Sequence, residues 1–524
     1  MKKIFITALA VTSIFAFVSC SEDFDSINTS PNLPENVLSS GLFNNANKQI
    51  MDGTRGGFSS GRMFLPWVQY SAQRNYTPED RFQFRQEVNS SLYRDIYLAA
   101  KNYRTIIELN TNPKTSLEMA KYGNLENQIA AARIMLSYSF LQLVDMYGDI
   151  PYYSYGNPDP DFQALQLEDK EILMPKFASQ TKIYTDILKE LKESVAMIDT
   201  AEPLFTEGDQ LFGNPEKLKR FANSLRLRIA TRVKGVIPTA AADITDAIAS
   251  GVMQSNDDTV GVTYQKDDVL PSPFYSSYFI GSTRNDFSVS STMVDLLKGD
   301  RGIFGLDPRL QKYVAPNTAS IGAIKNQTYQ ESDDLTVYKG MPYGIPDAMT
   351  SSQRANASGF SYNVIKQDYT EIFMEYAEVE FLLSENNGWN QQNYENGVKA
   401  SMERWKVDPA KITTFVGALP AASQANVLNQ KYVALFMQPV EAWAEYRRTG
   451  FPNTLLLPGQ TANLINPYQG ATTYVFTPLV PLTEMPARAT YPVSVQTLNR
   501  ANYDAASQNI GGDFLTTKLI WDLN

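Results

Sequence analysis

From Glu126 to Tyr153 the chain reads ENQIAAARIMLSYSFLQLVDMYGDIPYY, with its apolar side chains three or four residues apart. Ile129, Ala132, Leu136, Phe140, Leu143 and Tyr147 form one continuous face at helical spacing, and Ile134, Tyr138 and Leu141 widen it. An apolar surface this broad predicts a central helix against which other helices pack from more than one side. Gly148, which can take the left-handed cap conformation, and Pro151, which cannot continue a helix, end it.

The same spacing predicts helices over 41–51, 62–74 and 89–109 before this one, and over 179–198 after it. Asn214-Pro215, an N-cap followed by proline at the first helical position, opens another that runs through Leu218, Phe221, Leu225 and Ile229. Its other face carries Lys217, Arg220, Arg226, Arg228 and Arg232, which in an acidic chain predicts a set of ion pairs. From about 251 to 368 helical periodicity fades and Gly, Pro, Ser, Tyr and Phe punctuate the chain, as in LPSPFYSSYFI at 270–280. Long irregular segments held by a rigid scaffold are where binding residues concentrate. Helices return over 369–385, 394–405 and 425–449, the last kinked or split by Pro439, and the tail from Pro478 is turn-rich. Length alone, 524 residues, nominally allows three domains. No strict 34-residue repeat is present, yet helix pairs on both sides of a loop-rich insert suit a solenoid-like scaffold.

Acidic residues outnumber basic ones by 56 to 46, for a net charge of -10, so neither phosphate backbones nor anionic lipid are expected partners and nucleic acid is set aside. Hydrophobic content of 43% and a mean hydropathy of -0.29 are those of a soluble globular body. Beyond the N-terminus no apolar run approaches the roughly 20 residues that span a bilayer. The histidine count of zero removes imidazole-based triads, HExxH zinc sites and histidine proton shuttles. Gly57 to Gly61 fits G-x-S-x-G by spacing, but it has no base to serve it and reads as a chance match. Asn157 to Glu168 places oxygen side chains in a calcium-loop count, but Phe162 stands where the glycine is needed, and a solvated acidic loop is the expectation. No metal or other cofactor is expected.

Residues 1–19 have two early lysines, an apolar stretch from Ile4 to Val18 and a small residue before Cys20, as in an export signal. The single cysteine excludes an internal disulfide, and its place resembles a lipobox in which Cys20 is lipidated and becomes the mature N-terminus. The acidic SEDFD at 21–25 resembles a surface-export tag, and residues up to about 40 read as a tether.

Two aromatic groups are candidate ligand contacts. Trp67, Tyr70, Asn75 and Tyr76 cluster before the Thr77-Pro78 turn. In the irregular region, Phe274, Tyr275, Tyr278, Phe279 and Tyr343 offer flat faces, with Arg284, Asn285 and Asp286 as polar contacts. Sugars are recognised by that pairing, aromatic faces against C–H patches and planar polar groups against hydroxyls. The alternative in each case is that the aromatics are core.

Several phrases, in order, resemble the SusD/RagB-like nutrient-binding outer-membrane lipoproteins. They are CSED at 20–23, INTSPN at 27–32, the Ala-rich helix with YGDIPY, KRFANSLRLRI at 219–229, STMVD at 291–295 with DPR at 307–309, YAEVEFLL at 376–383, EAWAEYRRTG at 441–450, and RATYP at 488–492 with Asn502-Tyr503. The resemblance implies a mainly α fold of tetratricopeptide-like helix pairs with a loop-rich ligand-binding insert at about 251–368 of a domain spanning 41–524. It also implies a lipid anchor, a place on the outer membrane facing the cell exterior, and a TonB-dependent SusC-like transporter as partner. The family pattern contains no catalytic residues and fixes no ligand residues, so the site candidates rest on the residues alone. The expected role is capture of an oligosaccharide or similar nutrient. A surface scaffold for proteins or peptides and, more remotely, a carboxylate-only glycoside hydrolase are the alternatives.

Overall fold

The computed structural model describes residues 37–83, 85–167, 171–281 and 285–524. The signal at 1–19, Cys20 with nearly all of the 20–40 tether, and Arg284 lie outside the described residues. In chain order the first six long helices are α1 (Ser39–Arg55), α2 (Gln86–Thr111), α3 (Leu125–Tyr147), α4 (Gln180–Met197), α5 (Pro215–Val233) and α6 (Ala240–Ala249). Each packs on the one before it, so the chain builds its scaffold from successive helix pairs. The irregular region follows, with two short helices that matter below, α7 (Pro273–Phe279) and α8 (Asp347–Arg354). A second helical group, α9 (Tyr376–Asn386), α10 (Gln391–Arg404), α11 (Gln424–Ala434) and α12 (Pro439–Thr449), meets the first where α9 packs on α5.

Helix α3 is the axis. Every residue from Asn127 to Tyr147 is buried, because helices pack on it from several sides. By length and composition it could cross a membrane, which the sequence did not lead us to expect of any segment past the N-terminus, and here that apolarity belongs to a core. Its start is capped by Asn124, whose side chain accepts from the Asn127 amide at 3.0 Å. Its last carbonyls are met by groups far along the chain. Arg447 donates to the Asp145 carbonyl at 2.8 Å, the Ala489 amide to that of Met146 at 2.9 Å, and Arg488 to that of Tyr147 at 2.8 Å. Gly148 does take a positive φ of 87°, but with ψ at -127° it turns the chain away from the left-handed helical cap expected of it.

The arginines on the basic face of α5 make ion pairs, as the acidic excess implied, with Arg226, Arg228 and Arg232 buried and Arg220 partly exposed on Asp258 at 3.1 Å. Arg226 reaches Asp243 at 2.8 Å, Arg228 pairs with Glu378, and Arg232 pairs with Asp145 and Glu441. Within the described part of the acidic loop, 157–167, the carboxylates lie at the surface, with Lys182 on Asp159 at 2.9 Å and on Asp161 at 2.7 Å, while Phe162 and Ala164 turn inward.

Two predicted helices are corrected. Residues 62–74 are not one helix: a π turn (Ser60–Phe64) and a single α turn (Leu65–Trp67) lead into strand β1 (Ser71–Gln73). Over 369–385 only the second half is helical, since Thr370–Met374 pairs as a strand. The 425–449 stretch is split, as Pro439 led us to expect: it parts at Met437, whose φ is 68°, and Pro439 opens α12. The strands are β1, β2 (Val260–Thr263), β3 (Phe287–Val289), β4 (Thr370–Met374), β5 (Thr461–Tyr468) and β6 (Ala471–Val475). Among the described residues they form three two-stranded antiparallel sheets, β1 with β3, β2 with β4, and β5 with β6. A strand partner more than 100 residues away is invisible to local periodicity, and it overrides helical spacing in both 71–73 and 370–374.

Candidate functional site: a polar and aromatic rim

The pairing of β1 with β3 sets Ala72 opposite Ser288, which brings the residues leaving β1 beside those entering β3. The Arg74 amide continues the ladder by donating to the Asp286 carbonyl at 2.7 Å. Gly57 and Gly61 allow this approach. A Cβ on Gly61 would lie 2.8 Å from Phe287 and one on Gly57 2.7 Å from Ser277, so the glycines of the apparent nucleophile motif serve packing. Helix α8 docks through Asp347, which accepts from the Thr77 hydroxyl at 2.6 Å and the Thr77 amide at 3.2 Å. Strand β5 braces the same helix, Gln353 donating to the Asn466 carbonyl at 2.9 Å.

At the meeting point Asn75 is held in a fork. Its Nδ2 donates to Asp286 Oδ1 at 2.6 Å, while its Oδ1 accepts from Arg354. Arg74 anchors the neighbouring chain, donating to Ser288 Oγ at 2.9 Å and to the Arg354 carbonyl at 2.7 Å. The half-buried ring of Tyr76 lies under two guanidinium groups, Arg62 at 5.0 Å and Arg85 at 5.4 Å from its centroid. Arg62 also sits 5.5 Å from the exposed Phe58 ring, forks onto Glu79 at 2.9 and 3.2 Å, and stands 3.9 Å from Asp286. Burial pushes the Glu79 carboxyl up from its ordinary value, and the charges of Arg62 and Arg85 pull it back. Burial likewise lowers the Arg74 guanidinium, and nearby Arg354 adds to that. The result is a rim of fixed donors, acceptors and ring faces. It can recognise hydroxyls by planar polar groups and C–H patches by aromatic carbon.

Of the sequence candidates, the structure brings Asn75, Tyr76, Asn285 and Asp286 together here. Asn285 leaves its buried Oδ1 without a hydrogen-bond partner among the described residues. Most of the other aromatics prove to be core, the alternative left open for them. Trp67 packs 4.8 Å from Trp443 and 5.5 Å from Phe64, and Tyr70 lies 4.8 Å from Tyr432. Phe274 stacks among Tyr278, Phe287 and Phe360, Tyr278 donates to the Phe287 carbonyl at 2.8 Å, and Tyr343 meets Phe476 at 5.2 Å. Trp67, Tyr70, Phe274 and Tyr343 are 0% exposed and Tyr275 4%, so none offers a free face. Phe279 is half-buried under Lys325 at 5.3 Å. Burying such rings releases more free energy than exposing them for a ligand, and a loop-rich region needs a core as much as a helical one does.

Sequence reasoning missed Phe58, Arg62, Arg74, Arg85 and Arg354. Arg74 adjoins two residues it did select, and Arg354 lies in the irregular region, but no local pattern ties 354 to 75.

Fold and rim together define a helix-pair scaffold that carries a polar and aromatic rim on its loops. Comparison with known families gives the class. The model described as "Starch-binding associating with outer membrane" matches residues 31–470, and that described as "Susd and RagB outer membrane lipoprotein" matches 421–522. The chain belongs to the SusD/RagB-like family of outer-membrane lipoproteins. Solved structures share the fold. A chitin-binding protein superposes with a TM-score of 0.71 at 24% identity, covering 93% of this chain and 100% of its own. A chitin-binding SusD homologue from Flavobacterium johnsoniae gives 0.66 at 22%, covering 93% and 99%. A SusD homologue from Bacteroides fragilis gives 0.68 at 21%, covering 93% and 100%. No curated protein matches the chain.

Proposed function

We propose that this protein is a surface lipoprotein that captures an oligosaccharide and delivers it to a TonB-dependent SusC-like transporter, and that the rim around Asn75 and Tyr76 contacts the sugar. Cys20 carries the lipid, residues 21–40 tether the body, and the body faces the cell exterior. The observation that carries the reading is the Asn75 fork beside the Tyr76 ring, a planar amide and an aromatic face fixed side by side at a chain crossing. The rim's carboxylates are already engaged, Asp286 by Asn75, Glu79 by Arg62 and Arg85, and Asp347 by Thr77. That suits recognition rather than acid-base hydrolysis, and the protein acts as a binder, not an enzyme.

The test is calorimetric titration of the full chain against a glycan panel. Chito-oligosaccharides and malto-oligosaccharides are the first probes, since two proteins of similar structure are named as chitin-binding and the matching family is described as starch-binding. One glycan is expected to bind, and Asn75→Ala or Tyr76→Ala to weaken it about fivefold to tenfold, the loss of roughly 1 to 1.4 kcal/mol. Binding only to peptides would move the protein to the scaffold class.

A further inference from the structure

A second concavity lies away from the rim, bounded by α1, one turn of α2, the 210–211 loop and the stretch from β2 to Leu270, with a volume of about 640 Å³. That is ample for a small-molecule ligand. Its wall is rich in primary amides. Asn45, Gln49, Gln210 and Gln265 line it from three separate segments, and none of their side chains makes a hydrogen bond with another described residue. Asn47, only 2% exposed, lines it too. Its Oδ1 accepts from the Tyr103 hydroxyl at 2.6 Å, while its buried Nδ2 has no partner among the described residues. A buried donor left open beside a cavity marks a place where a ligand acceptor completes the hydrogen bonding.

The charges narrow the ligand class. Both carboxylates at the wall are paired, Asp52 with the ammonium of Lys48 and Asp95 with Arg94 at 2.9 Å. The Tyr264 hydroxyl also donates to Asp52, at 2.7 Å, which fixes that carboxylate at the wall. Lys48, the cation among the lining residues, is thus engaged, so an anionic ligand would find no unpaired positive charge among them. A neutral polyhydroxylated ligand would meet amides that both donate and accept and carboxylates that accept, as hydroxyl groups require. Leu211, Val262 and Leu270 add an apolar strip for its C–H faces.

We infer that this amide-lined concavity is a second carbohydrate site, independent of the rim, that takes a short neutral oligosaccharide. The full chain is titrated calorimetrically with maltotriose, cellotriose and triacetylchitotriose, each to millimolar concentration, as wild type, as Asn45→Ala/Gln210→Ala and as Tyr76→Ala. Asn45 and Gln210 are exposed, so the double variant keeps the fold, which an unchanged melting midpoint confirms. The expected result is one equivalent of binding that the double variant removes and Tyr76→Ala leaves intact. If that is the sole equivalent found, the rim reading fails while this one stands. Binding that the double variant leaves unchanged, or no heat with any of the three sugars, overturns the second site.

Discussion

Replacing Arg232 by Met removes the cation that neutralises a buried carboxylate cluster. The guanidinium pairs with Asp145 and Glu441 and lies 3.7 Å from Glu445, at 0% exposure. Glu441 would keep Arg228 at 3.6 Å, and Glu445 would keep Lys431 at 2.7 Å and Arg448 at 2.8 Å. Asp145 is the loser, left with the Tyr184 hydroxyl at 2.6 Å and the weaker field of Arg447. Methionine roughly fills the space, so the dominant cost is one uncompensated buried charge, about 3–5 kcal/mol. With an unfolding entropy of about 2.1 cal/mol/K for each of 524 residues, that lowers the melting midpoint by about 3–5 °C. The pH dependence supplies the sharper check. Burial already holds the Asp145 carboxyl above its ordinary value, and losing Arg232 raises it further. A carboxyl whose pKa is higher in the folded state loses stability as pH rises from its unfolded value toward the folded one. The deficit against wild type, measured by scanning calorimetry, is therefore larger at pH 8 than at pH 5. A shift under about 1 °C, or a deficit that does not shrink at low pH, would refute the buried cluster.

Glu371, buried with Arg55 at 3.9 Å, has its carboxyl pushed up to about 8, chiefly by desolvation. Wild type should thus lose stability between about pH 4.5 and 8, and Glu371→Gln should match wild type at pH 5 yet melt higher at pH 9. Trp67→Ala should cost about 3–5 kcal/mol, as truncation of a core ring does, while Trp67→Phe retains glycan affinity in calorimetry; a lost affinity would return Trp67 to the site. Gly344 has φ of 68° and a Cβ there would stand 2.5 Å from Phe476, so Gly344→Ala should lower the melting midpoint and loosen the loop beside β6.

The helical scaffold was legible because its signals are local. The double stripe of 126–147, the Asn214-Pro215 cap and the break at Pro439 each act within a few residues. The basic face of α5 could be read as ion pairs from charge balance alone, though not which acids it meets, since Glu378 and Glu441 come from the second helical group. The strands 71–73 and 370–374 were read as helix because their partners are distant. The candidate aromatics were harder still. A tyrosine at 76 and one at 70 look alike in sequence, and only the packing of Tyr432 over one and of Arg62 and Arg85 over the other tells core from rim. Arg354 reaches Asn75 across nearly 280 positions by way of α8, a contact that no spacing announces.

The most direct test of the central claim, surface capture for an outer-membrane transporter, is to extract the envelope in mild detergent and isolate this chain by a C-terminal tag. A large β-barrel in stoichiometric yield, with lipid on Cys20, is the predicted result. Recovery of the chain alone from the soluble fraction, with an unmodified Cys20, would contradict both the anchor and the transporter partnership.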